Sequence, residues 1–235
     1  MKKKISYIMM AAMMAASFAA CKKDNYTPPQ SKLSGRLTYK GEEVNVEVNQ
    51  VPFQLFQFGF GKVGAISSTF EQDGKFSALL FDGDYKLTVP GNQGPFMWKK
   101  TASGAQDSIS VKMAGNQELD IEVTPYYMIR NAAFEAKENK VTGTFNLEKV
   151  ITDANAKNIE RANLYINKTQ FVSAGDYNVA SVQLSGDQIK TMTGISMTVG
   201  VPAISPAQNY VFARIGLKIA GVEDMIFSPV QKITL

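Results

Sequence analysis

The 235-residue chain contains no histidine and a single cysteine, Cys21. The first absence removes every triad that needs an imidazole. The two together remove zinc sites of the His/Cys type. One cysteine cannot close a disulfide within the chain, so stability must come from packing and sheet hydrogen bonding. A strong excess of either charge is missing too: 25 Lys+Arg stand against 21 Asp+Glu. Lys2, Lys3 and Lys4 precede an apolar run; without them 22 basic residues face 21 acidic ones, a net charge of +1. A nucleic-acid binder normally carries a pronounced basic excess, so nucleic acid is not an expected partner.

The apolar run spans Ile5 to Ala20, interrupted only by Ser6, Tyr7 and Ser17. It is shorter than the roughly 20 apolar residues a membrane span needs. A basic start, a short apolar middle and the small residues of Phe18-Ala19-Ala20 describe a secretory signal cut after residue 20. The next residue is Cys21. A cysteine in that position resembles the lipobox of bacterial lipoproteins, in which the thiol carries a diacylglycerol. Phe18 stands where such motifs usually have Leu. Cys21 is thus the expected lipid attachment, and a membrane the expected first partner. The charged stretch Cys21-Lys22-Lys23-Asp24 resembles the surface-export signal of Bacteroidetes lipoproteins, which implies the outer membrane and its cell-surface leaflet.

Residues 21–31 read as a lipidated tether, with Pro28-Pro29 holding it extended. From residue 32 the pattern is strand and turn. Val44, Val46 and Val48 alternate with polar residues, and Val51, Phe53 and Leu55 form one face of the next run. Asp73-Gly74 and Asp82-Gly83-Asp84 mark turns before Lys75–Leu80 and Tyr85–Val89. Short strands at regular spacing predict an all-β fold of sandwiches. The pair Asp73-Gly74-Lys75-Phe76 and Gly83-Asp84-Tyr85-Lys86-Leu87-Thr88-Val89 resembles the transthyretin-like, or carboxypeptidase-regulatory-like, sandwich over residues 32–124. Pro125 is expected to interrupt strand pairing at a domain boundary. A fresh strand set over 125–235, strongest at Tyr210–Ile219, reads as an immunoglobulin- or fibronectin-like sandwich. Ser185-Gly186-Asp187-Gln188 has capping-box spacing for one helical turn.

The lipoprotein signal, the Leu33-Ser34-Gly35-Arg36 opening and the Glu122-Val123-Thr124-Pro125-Tyr126 junction together resemble the two-domain Bacteroidetes lipoproteins of the domain of unknown function 3823 family. The resemblance implies an accessory role beside starch-utilisation-type outer-membrane receptors, with oligosaccharide or the receptor complex as partner. It supplies no catalytic residues. A structural alternative is a fimbrillin-like pilin or adhesin subunit; its cleavage arginine should precede the first strand, whereas Arg36 lies within it.

Without His or free Cys, catalysis would need paired carboxylates. Glu42-Glu43, Asp82/Asp84 and Glu223-Asp224 all sit in turn-like contexts where carboxylates are normally solvated, so no enzyme is expected. Asp82-Gly83-Asp84, with Asp73, offers too few ligands at calcium-loop spacing, and neither a metal nor a cofactor is expected. Exposed aromatic rings carry the binding expectation, because sugars stack on them. Phe56, Phe58 and Phe60 share one parity and should face outward if Val51, Phe53 and Leu55 face the core. Phe96 and Trp98 lie on a loop beside Lys99 and Lys100, and Tyr126 and Tyr127 lie at the junction. The candidate contact set is therefore Trp98, Phe96, Tyr126, Tyr127 and Phe58. The competing reading is that these rings fill the core or cement the domains. Asp107-Ser108-Ile109 resembles a Bacteroidetes O-glycosylation sequon.

Overall fold

The computed structural model describes residues 27–235 apart from Phe60 and Lys62. The signal segment and Cys21 lie outside the described residues. Among the described residues the fold is all-β, with one 3-10 turn at Gly186–Gln188. There the Gln188 Oε1 accepts the Ser185 N–H at 2.9 Å, the reach-back half of the capping box.

The first sandwich is built on the strand Ser31–Tyr39. Lys75–Leu80 flanks it antiparallel, with Ser31 opposite Leu80 and Arg36 opposite Lys75. Gln117–Glu118 and Ile121–Glu122 pair with its other edge in parallel. The facing sheet runs Ala65–Thr69, Pro52–Gln57, Gly83–Thr88, Ile109–Met113, all antiparallel. Alternation puts Leu33, Leu37, Val51, Phe53, Leu55 and Leu87 between the two sheets, all fully buried. Phe53, Phe70 and Phe76 meet there with ring centroids 5.1, 5.2 and 5.6 Å apart, the tilted and edge-on geometry that aromatic quadrupoles favour.

The expected outward stripe of phenylalanines stops early. The strand ends at Gln57, and Gly59 has a φ of +91°, which turns the chain and ends the two-residue parity. Phe56 is half-buried, Phe58 stands in the following loop at 47% exposure, and Phe60 lies outside the described residues.

The second sandwich packs the sheet Tyr127–Lys137, Lys140–Lys149, Ile195–Gly200 against a larger one. Glu138 and Asn139, both with positive φ (52° and 56°), form the two-residue hairpin loop that joins the first two strands. The larger sheet runs Ala180–Ser185, Ile159–Asn167, Tyr210–Ile219. Ile226–Phe227 and Gln231–Thr234 pair with successive parts of Tyr210–Ile219. Val211, Ala213, Ile215, Leu217 and Ile219 are fully buried along one face of its central strand.

The two sandwiches share a sheet. The two-residue strand Asn45–Val46, from the first half of the chain, pairs antiparallel with Ile226–Phe227, with Val46 opposite Ile226 and Asn45 opposite Phe227. Val44, Val46 and Val48 are buried as their alternation predicts. Asn45 is buried as well, because the face expected to meet water meets the second sandwich instead. The expected break at Pro125 is also replaced by pairing: Thr124–Pro125 forms a short antiparallel ladder with Phe96–Met97. Pro125 lacks only a donor, and so short a ladder does not require it.

Arg214 bolts this seam. It lies on the opposite face of Tyr210–Ile219 from the aliphatic row and is fully buried. Its Nε donates to the Ser228 carbonyl at 2.9 Å, and its Nη2 donates to the Gln72 carbonyl at 3.0 Å. Longer bonds reach the Val172 carbonyl and Gln72 Oε1, each at 3.3 Å, and the Val46 carbonyl at 3.4 Å. The guanidinium carbon sits 4.5 Å from the centroid of the Phe227 ring. Burial pushes its pKa down to about 9, which leaves it charged at neutral pH. Glu42 adds an ion pair to Arg130 across the seam, and the Gln72 amide donates to the Gln170 carbonyl at 2.8 Å.

Candidate functional site

The segment Pro90–Lys100 leaves the strand Gly83–Thr88 and runs to the seam. Gly94 sets its path. Its φ is +84°, and a Cβ there would lie 2.5 Å from the Phe96 ring, so only glycine fits. The Gly94 N–H donates to Asp224 Oδ2 of the second sandwich at 2.6 Å. Two residues later the Phe96–Met97 ladder begins, and the Tyr126 N–H donates to the Pro95 carbonyl at 3.2 Å. The middle of the loop is thus held against the second half at Gly94 and against the junction strand at residues 95–97.

Two clefts open beside it. The first, of about 340 Å³, is lined by this loop, by Gln106, and by Tyr126, Asn155, Lys157 and Gly221. The second, of about 510 Å³, lies on the other side of Trp98, bounded by Lys99, Lys100, Glu122, Ile151 and Asp153. Concave, polar and aromatic surface at a domain junction is where small ligands usually bind.

The sequence-predicted contact residues divide. Trp98, Phe96 and Tyr126 come together at the first cleft. Trp98 is only 6% exposed, and its Nε1 donates to the Asp107 carbonyl at 2.8 Å. Its ring therefore belongs to the core, and only an edge faces the clefts. Phe96 is buried likewise; Tyr126 is the partly open ring. Tyr127 lines neither cleft. It is buried, and its hydroxyl donates to the Lys157 carbonyl at 2.8 Å, so it positions the cleft wall. Phe58 is remote: its N–H donates to the Asp84 carbonyl, at the end of Gly83–Thr88 away from Pro90.

Sequence reasoning missed Gln93, Gln106, Asn155 and Lys157 in the first cleft, since isolated amides and a lysine in loops carry no signal. It also read Asp224 as solvated. The structure corrects this: Asp224 is 4% exposed, because the Gly94 loop folds over it. Burial, reinforced by Glu223, raises its pKa despite the Gly94 hydrogen bond. Glu47, on the same seam, is raised by burial and then by Asp224. Several other candidate carboxylates are engaged structurally. Asp82 Oδ1 accepts both the Ser31 hydroxyl at 2.5 Å and the Gly115 N–H at 3.0 Å. Asp73 pairs with Lys75 at 2.6 Å, and Glu43 with Arg36 at 2.7 Å. Among the described residues no group of three or more Asp, Glu or Cys is placed to hold a metal. Asp107 and Ser108 of the sequon are half-buried.

Glu47 gives a pH prediction. Its folded pKa lies above its unfolded one, so its stabilising contribution is full below the unfolded value and is lost as pH rises through the folded value. Glu47→Gln should therefore melt at a higher temperature than the parent at pH 7, and the gap should close towards pH 4.5. Asp73 and Asp82, shifted downward, pull the parent the other way, but they are common to both proteins. Thermal melts across that range check it; equal melting temperatures at pH 7 would refute it.

Profiles of two family domains match the chain. The N-terminal domain of the protein of unknown function DUF3823 matches residues 31–124, and the domain of unknown function DUF3823_C matches residues 127–232. The chain belongs to the DUF3823 family. A DUF3823 protein of Parabacteroides merdae is 31% identical, with a TM-score of 0.75 over 88% of this chain and 100% of that one. A DUF3823 protein of Bacteroides ovatus is 30% identical, with the same TM-score and coverage. A protein of Bacteroides uniformis, provisionally named as carbohydrate-binding, shares the fold at 17% identity and a TM-score of 0.63, with the same coverage. No curated protein matches the chain. The DUF3823 matches bring no catalytic assignment. No helix of the described residues is long and apolar enough to cross a membrane.

Proposed function

We propose that the protein is a non-enzymatic lipoprotein, anchored through Cys21 at the outer face of the outer membrane, that binds oligosaccharide at the seam between its two sandwiches. The observation that carries the binding half is the first cleft. Tyr126, an edge of Trp98, two lysines and several amides converge there around a loop held at Gly94 and at Phe96–Met97. Sugars are recognised by this combination of a ring for the apolar face and fixed polar groups for the hydroxyls. The anchor half is supported by the signal, the lone cysteine and the short tether. The provisional naming of the Bacteroides uniformis relative agrees with a carbohydrate ligand. A pilin would need its first strand to be expendable, but Ser31–Tyr39 is paired on both sides and contributes the buried Leu33 and Leu37.

Glycan-array screening of the purified protein should find at least one bound oligosaccharide. Asn155 is exposed at the rim of the first cleft. Asn155→Trp should fill the cleft and abolish that binding with the melting temperature unchanged. Unchanged affinity would move the site elsewhere, and a blank array would end the glycan reading. Mass spectrometry of the native protein should find Cys21 acylated.

A further inference from the structure

We infer that the first cleft selects anionic oligosaccharides, those bearing uronate carboxylates or sulfate esters, over neutral ones. This rests on the glycan reading above and adds the ligand class. Lys100 and Lys157 both line the cleft, and no Asp or Glu does. The side chains around them are amides: Asn92, Gln93, Gln106 and Asn155.

A neutral sugar presents hydroxyls that donate as well as accept, and a charged acceptor in the wall would serve those donors. This wall offers none. Lys157 Nζ makes one long bond, 3.4 Å to the Gly221 carbonyl, and has three donor hydrogens. Its ammonium also lies over the Tyr126 ring, 5.8 Å from the centroid, so the cation and the ring front the same space. Lys100 is exposed and pairs with no carboxylate among the described residues. Asp224 lies beneath the loop, but its Oδ2 is bound to the Gly94 N–H and buried away from the opening. The acidic residues of the region, Glu122 and Asp153, line the second cleft instead. Lys99 and Lys100 also line the second cleft, but there they share the wall with those carboxylates; the first cleft joins its ammonium groups to a wall without Asp or Glu. The ligand they complement is rich in acceptors, with negative groups for the two lysines and a sugar ring packed against the open part of Tyr126.

Calorimetric titration of the whole protein with oligogalacturonate, a sulfated galactan oligosaccharide and maltoheptaose tests the proposal. At least one anionic glycan should bind while maltoheptaose does not, and the two anionic arms separate carboxylate from sulfate. Lys100→Glu, an exposed change that leaves the core intact, should weaken the bound anionic glycan tenfold or more. Raising NaCl from 50 to 500 mM should cost about tenfold as well, because an exposed ion pair is screened. Unchanged binding by Lys100→Glu, or neutral glycans binding as well as anionic ones, would overturn the charge selection and leave the glycan reading intact. Binding to none of the three, together with a blank array, would end both.

Discussion

Replacing Arg214 with alanine should cost about 3–5 kcal/mol of unfolding free energy, the scale seen when a buried charged network is broken. Among the described residues Arg214 forms no ion pair with a carboxylate. Its donors go to the Ser228, Gln72, Val172 and Val46 carbonyls and to Gln72 Oε1. Its loss orphans several buried acceptors at once, each about 1–3 kcal/mol if water cannot reach it. It also removes the cation from the Phe227 ring. Methionine fills the volume but restores no donor, so Arg214→Met should remain destabilised. Arg214→Lys keeps the charge but not the planar five-donor fork, and should recover only part of the loss. Urea denaturation of the three variants checks this. A methionine variant as stable as the parent would show that packing alone holds the seam.

Trp98→Ala should be the other severe change, about 3–5 kcal/mol for deleting a buried large aromatic side chain. The indole is nearly enclosed, and its N–H is committed to the Asp107 carbonyl. The variant should lose binding as a consequence of destabilisation, with the melting temperature falling by several degrees. Trp98→Phe keeps most of the packing and leaves one acceptor unmet, so it should fall between the two. Thermal unfolding followed by circular dichroism separates these cases. A Trp98→Ala protein that melts with the parent would return Trp98 to the role of a surface contact.

Much of the fold was legible because one face of each strand is buried by its own sandwich. Val51, Phe53 and Leu55 declared their core face, and Tyr210–Ile219 read as the strongest strand because its aliphatic row is continuous. The Asp73-Gly74 turn was visible because Gly74 needs a φ of +78°. The junction motif at Glu122–Tyr126 pointed to the family that the domain profiles then matched. What could not be read comes from pairings distant in the chain. Asn45–Val46 joins a strand some 180 residues later, and two residues carry no periodic signal. The polar face of Val44–Val48 looked solvated because its cover lies in the other half. Arg214 and Asp224 are buried for the same reason, by elements that local patterning cannot see. Trp98 resembled a loop contact because lysines follow it, yet its indole is turned inward and bound to the Asp107 carbonyl. In the first cleft the candidate rings were legible, but the amides and Lys157 gather only when the seam forms.

The shared strand also has a bearing on solubility. An uncovered sheet edge offers unpaired N–H and C=O groups to any extended neighbour, and proteins generally protect such edges. Here Ile226–Phe227 is capped by Asn45–Val46 of the same chain. The second half made alone would bare that ladder beside two large apolar side chains and become self-adhesive, so the first half serves it as a built-in guard against aggregation.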